Sequence, residues 1–272
     1  MERKIKFVFA FQRLIPFLGY HHVLMVFILL AIILLSLLLA GCSSSSVLIP
    51  SIFLINLWYD RESPVFDPAQ VDPNYARKIG DIVATAALEV RVGFFGICVN
   101  PDGSSWLCSA NATSLAAQVN TNQDPLNLIW VSETFKESIV FPYLIIVAII
   151  LATVVLLLLA TFPGYEDEYD DGPSVRRLPS RAVSQIALAI VFVASIFVLV
   201  SVLWQHTASV AAATIAGNMA NGSVKTGVGV SAMVLGWFGF ALLIMVTIGL
   251  LVMILSMHLV ESLVETEEDS II

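Results

Sequence analysis

Ionisable side chains are scarce in this chain, and four stretches have none. Only 12% of its 272 residues are charged, where a soluble domain carries about one quarter. Residues 23–40, 139–162, 183–204 and 230–257 contain no Asp, Glu, Lys or Arg. That excludes water as the solvent of these stretches. Each reaches the roughly 20 residues needed to cross ~30 Å of hydrocarbon, and 58% of the chain is apolar, with a mean hydropathy of +0.90. Lipid satisfies no peptide hydrogen bond, so isolated spans of this kind are helices.

Other absences narrow the function. No basic stripe tracks a phosphate backbone, so nucleic acid is not an expected partner. The four histidines, His21, His22, His206 and His258, are scattered along the chain. They form no His-Glu-x-x-His pair, and there is no Ser/His/Asp spacing or phosphate loop. The sequence predicts no enzyme and no cofactor. His21 and His22 read as an interfacial pair rather than a metal site. The spans carry only scattered polar groups, such as Ser36, Thr153, Gln185 and Thr247, so a single copy offers no evident ion path. Asp67, Asp72, Asp81 and Glu89 fit no EF-hand spacing and read as a solvated surface.

What is present orients the spans. Arg3, Lys4, Lys6 and Arg13 precede the first, and Arg176, Arg177 and Arg181 precede the third. The positive-inside rule puts both flanks in the cytosol. The acidic run 166–171 and the acidic tail, with Glu261, Glu265, Glu267, Glu268 and Asp269, then lie there too. The sequons at Asn111 and Asn221 fall in the two connections this topology places outside. So do Cys98 and Cys108, in a compartment where disulfides persist.

The expected layout is therefore a cytosolic N-terminus (1–22), span one (23–40) and a large outer loop (41–138). Span two (139–162), a cytosolic loop (163–182) and span three (183–204) follow. A second outer loop (205–229), span four (230–257) and a cytosolic tail (258–272) complete it. The fold class is an all-α membrane protein, a four-helix transmembrane bundle with a small β-containing extracellular cap. Gly236 and Gly239 on span four permit close helix approach. Leu39-Ala40-Gly41-Cys42 also has the form of a lipoprotein cleavage site. The run before it is longer than such a signal uses, and the reading adopted is that Gly41 and Cys42 end span one, with the following serines as a flexible exit.

The outer loop has ten acids and five bases, and enough length for a small folded cap. Residues 47–59 read as a strand or a membrane-hugging segment with an aromatic anchor. The prolines after Ser63, Asp67 and Asp72 make the next stretch turn-rich. Residues 75–88 read as a short helix, and 88–92 alternate as a half-buried strand. That strand enters Gly93-Phe94-Phe95-Gly96-Ile97-Cys98, where glycine marks a bulge or a close backbone approach. Pro101-Asp102-Gly103 is a turn that brings Cys98 back beside Cys108. A second strand over 104–108 would turn Trp106 inward. A Cys98–Cys108 bridge would staple a cap with little core of its own. Asp124 as N-cap and Pro125 in the first turn then start a helix over 126–137.

The pattern Gly-apolar-apolar-Gly-x-Cys, with a second Cys within about ten residues in the first outer loop of a four-span chain, resembles the fungal Fig ("factor-induced gene") family. The opening Leu14 to His22 is similar to that family as well. More distantly, the chain resembles the claudins. Gly93, Phe94, Phe95, Gly96, Cys98 and Cys108 match the motif. The resemblance implies a plasma-membrane protein that regulates low-affinity calcium influx and membrane fusion in fungal mating. Its expected partners are membrane lipid, calcium-channel components or other membrane proteins, and a second copy of the chain. The eisosome tetraspans share a similar glycine-cysteine motif, which keeps a structural or adhesive tetraspan as the alternative.

Overall fold

The computed structural model describes residues 20–60, 72–101, 103, 105–161, 181–219 and 223–269. Outside them lie the basic N-terminus, Asp67 and its neighbouring turns, Asp102 and Ser104. The acidic run 166–171, Arg176, Arg177 and Asn221 lie outside them as well.

Among the described residues, four helices are long and apolar enough to cross a membrane. They are α1 (Tyr20–Ala40), α5 (Tyr143–Ala160), α6 (Arg181–Met219) and α7 (Val230–Asp269). Between α1 and α5 come a 3-10 turn (Ile49–Ser51), β1 (Ile55–Tyr59), α2 (Pro73–Val83), β2 (Glu89–Val92), β3 (Ile97–Asn100), β4 (Leu107–Ser109), α3 (Ala112–Ala116) and α4 (Leu128–Ser138). β5 (Val224–Val228) lies between α6 and α7. The protein is a four-span bundle with a disulfide-bearing cap, and it is a multi-pass membrane protein.

The described residues divide into two compact units. The first is helical in its described residues, 20–33, 147–161, 181–197 and 239–269. Its interior is a seam with alternating steps of three and four: Leu24, Ile28 and Ala31 on α1, and Ala148, Ala152, Val155 and Leu159 on α5. Such spacing keeps one stripe of each helix inward. Alanines on α5 and α6 (Ala187, Ala194) let backbones approach, as suits helices that gain no hydrophobic drive from lipid. Gly249 serves the same end, with Tyr20 donating its hydroxyl to the Gly249 carbonyl at 3.1 Å.

The second unit, residues 34–146 and 198–238, holds the sheet. Its strands lie in the order β4-β3-β2-β1-β5, all antiparallel. Alternation puts Ile55, Leu57 and Tyr59 of β1 and Val90 and Val92 of β2 on the core face. They pack with Ile97 and Val99, with Leu115 of α3, and with Leu128, Ile129 and Phe135 of α4. Within this core the Tyr59 hydroxyl donates to Asp124 Oδ1 at 2.7 Å and accepts from the Leu126 N–H at 3.0 Å. Asp124 in turn accepts from the first N–H groups of α4, Leu128 at 2.7 Å and Ile129 at 3.1 Å. One buried carboxylate thus satisfies two orphan helix donors and a strand hydroxyl.

Several boundaries differ from the sequence expectation, each for a local reason. The helical run expected from residue 139 begins at Tyr143, because Pro142 cannot continue the preceding helix. Asp124 is not the boundary residue of α4; Asn127 is, in the left-handed region with φ 55°. The expected helix 75–88 is Pro73–Val83, started by Pro73 and capped by the Asp72 side chain. Only residues 55–59 of the stretch 47–59 form a strand, and Val47 and Leu48 are exposed. The largest departure is at 205–229. There α6 runs on to Met219 through the Ala-rich stretch, a composition that favours helix, and β5 follows.

Candidate functional site

The candidate site is the β2–β3 hairpin and what it touches. Gly93 to Gly96 form its turn, closed by the Gly93 N–H donating to the Gly96 carbonyl at 2.9 Å. The glycine motif is thus a hairpin tip, not a strand continuing through 98. Both glycines face the residues that follow α1. A Cβ on Gly93 would strike the Gly41 carbonyl oxygen and lie 2.9 Å from Cys42 Cβ. One on Gly96 would strike the Cys42 carbonyl oxygen. The two obstacles are backbone, so neither can swing aside. The close approach expected from glycine in a strand is real, and its partner is the Gly41-Cys42 peptide.

Cys42 itself is buried, with φ 55°, and its thiol lies 3.5 Å from the Ile52 carbonyl. Burial pushes that thiol up to about 12, against a smaller opposing pull from the Arg91 charge. At neutral pH it is a packed thiol, not a nucleophile. The segment after it is tied to the sheet rather than left free. Ser43 Oγ donates to the Ala40 carbonyl at 2.6 Å, and Ser45 Oγ accepts from the Cys108 N–H at 3.0 Å.

Cys98 and Cys108 face each other across β3 and β4 and are disulfide-bonded, with Cα atoms 4.0 Å apart. The bridge lies on the sheet face opposite Ile97 and Val99. Arg91 sits on that same face and was not singled out by the sequence. Its guanidinium carbon lies 3.9 Å from the Trp106 ring centroid and 4.8 Å from that of Phe53. It also donates to Glu89 Oε1 at 3.0 Å and to the Pro50 carbonyl at 3.1 Å. Trp106 therefore stacks on a cation instead of entering the core. The signal was available in the polar phase of the 88–92 alternation, where a half-buried arginine needs partners.

The two motif phenylalanines diverge. Phe94 is 5% exposed and Phe95 is 44% exposed. Both line a cavity of about 700 Å³ with the α4–α5 connection and with Val200, Ser201 and Trp204 of α6. Asn111 is exposed and starts α3, accepting from the Thr113 N–H at 2.8 Å. Among the described residues no group of three or more His, Cys, Asp or Glu could hold a metal ion. Asp72 caps α2, and Glu89 pairs with Arg91.

Residues 76–256, about two thirds of the chain, match the family described as Ca2+ regulator and membrane fusion protein Fig1. The chain belongs to the Fig1 family. The match spans β2 to β5, the hairpin motif, the disulfide and three of the four apolar helices. This is a family of regulators and fusion proteins, described by no catalytic activity. No curated protein matches the chain.

Proposed function

We propose that this Fig1-family protein regulates low-affinity calcium influx and membrane fusion during mating of fungal cells, at the plasma membrane, with both termini in the cytosol. The family match over the hairpin motif and three helices carries the reading. Basic flanks before spans one and three, a bridged cysteine pair and an exposed sequon asparagine support the orientation, with the cap outside. Calcium-channel components, other membrane proteins and a second copy of the chain are the proposed partners. The motif glycines act by letting the hairpin close on the Gly41-Cys42 peptide, and Phe95 at its tip is the part of the motif left for contact.

The test is cytosolic calcium and cell-fusion efficiency in pheromone-stimulated cells lacking this chain. A weakened calcium rise and poor fusion, both restored by the intact protein, are expected. Phe95→Ser should reach the surface normally yet fail to restore them, since its ring is exposed. Normal calcium and fusion without the chain would leave the second reading, a structural or adhesive tetraspan of membrane microdomains or cell contacts. That reading draws on the burial of both motif glycines inside the fold.

A further inference from the structure

One face of α6 carries Ser201, Gln205 and Ser209 at four-residue spacing, all buried. Gln205 is 5% exposed and Ser209 1%. The Gln205 amide nitrogen points at Met233 Sδ, 3.9 Å away, while Gln205 Oε1 and Ser209 Oγ have no hydrogen-bond partner. Buried polar atoms of this kind are costly when left unpaired. They line an inner cavity of about 10 Å³, roughly the space of one oxygen-sized probe.

That inner cavity adjoins the 700 Å³ groove already described: the two share Phe94, Ile139, Val140, Phe141, Ser201 and Trp204 in their walls. The groove has the size of a small-molecule site. It lies where a bilayer ends: α5 starts at Tyr143, and exposed Phe141, Tyr143 and Trp204 form the aromatic fringe typical of the interface. Leu144 and Val200, which also line it, belong to the apolar helices α5 and α6. Gln205 and Ser209 lie one and two turns beyond Ser201, toward the sheet. The groove's own wall also carries Lys136, Glu137 and Ser138, and the Trp204 indole N–H is already spent on the Ile139 carbonyl at 2.8 Å; the unpaired polar atoms are those of Gln205 and Ser209 in the adjoining cavity.

We propose that this groove binds a membrane sterol. Its rigid apolar body would lie along Phe95, Phe141, Leu144 and Val200, and its hydroxyl would donate to Gln205 Oε1 and meet Ser209 Oγ. The inner cavity admits one oxygen and excludes a phosphate headgroup. A bare acyl chain leaves Gln205 Oε1 unpaired. The orientation also matches a sterol in a leaflet, hydroxyl toward the polar boundary and body toward the hydrocarbon.

The experiment uses the full chain in phosphatidylcholine vesicles with a photoreactive sterol probe. Saturable labelling of peptides around 139–144 and 200–209 is expected, competed by free sterol but not by its methyl ether or by added phosphatidylcholine. Gln205→Leu should weaken competition about tenfold, the worth of one buried hydrogen bond. Val200→Trp should abolish labelling. Val200 is half-exposed, so this variant fills the groove without touching the core and decides the matter if Gln205→Leu does not fold. Unsaturable labelling, equal competition by phosphatidylcholine, or full labelling of Val200→Trp would overturn the proposal.

Discussion

The helical unit and the sheet-bearing unit solve the same problem, a close approach to another element, with glycine in different surroundings. In the helical unit a Cβ on Gly249 would meet the Leu24 side chain at 2.6 Å and the Tyr20 hydroxyl at 3.1 Å. In the cap, Gly93 and Gly96 abut the carbonyl oxygens of Gly41 and Cys42. A leucine rotamer or a tyrosine ring can shift; a peptide held at both ends cannot. The helical unit satisfies its backbone within each helix and needs only shape complementarity. The cap must satisfy strands, short helices and a connecting strap at once, and does so with a bridge, a buried carboxylate and a stacked arginine.

The sharpest way to break the comparison is to place one methyl group in each unit. Gly96→Ala should cost about 3 kcal/mol or more, because the Cys42 carbonyl must move and the hairpin with it. Loss of surface expression and of the thermal transition in detergent would check this. Opening the Cys98–Cys108 bridge by Cys98→Ala should cost about 3 kcal/mol, from a loop with a sequence separation of 10. A melting transition of the intact protein that ignores a membrane-permeant reductant would contradict it.

The Tyr59–Asp124 pair gives a pH test confined to the cap. Burial first, and then the hydrogen bond to the Asp124 carboxylate, push the Tyr59 hydroxyl above its ordinary value of 10.0. Above about pH 10 the unfolded chain loses that proton while the folded chain keeps it. The folded state then binds more protons, so stability falls as pH rises. Tyr59→Phe should flatten this alkaline fall, at a cost near neutrality of about 1 kcal/mol for the lost hydrogen bonds; an unchanged alkaline slope would sink the assignment. The smallest effect belongs to Gly249→Ala, about 1 kcal/mol or less, since Leu24 can rotate away. If it proves as damaging as Gly96→Ala in the same melting assay, the contrast between the two units fails.

Much of this was legible in the residues. The four spans show in the absence of charge, and the cysteine pair announces that β3 lies beside β4. Less legible were contacts between segments distant in sequence. Gly93 and Gly96 announce a close approach but do not name Gly41 and Cys42 as its other side. Those two residues resembled a lipoprotein cleavage site because a small residue before a cysteine has the same letters in either role. β5 was hidden because Val224-Lys225-Thr226-Gly227-Val228 is short, and its pairing with β1 depends on α6 carrying it there. The polar stripe of Ser201, Gln205 and Ser209 was visible, but nothing in its spacing says that it faces a cavity.

By itself the sequence determined which segments are apolar enough to span a membrane, hence the four long helices, and the half-buried strand at 88–92, since these follow from hydropathy and periodicity over a few residues. Tertiary structure decided which backbone fills the space of each missing side chain, where Arg91 finds its aromatic partners, and which polar groups of α6 stay unpaired beside a groove. Those outcomes rest on packing between elements far apart along the chain, and no local pattern carries that information.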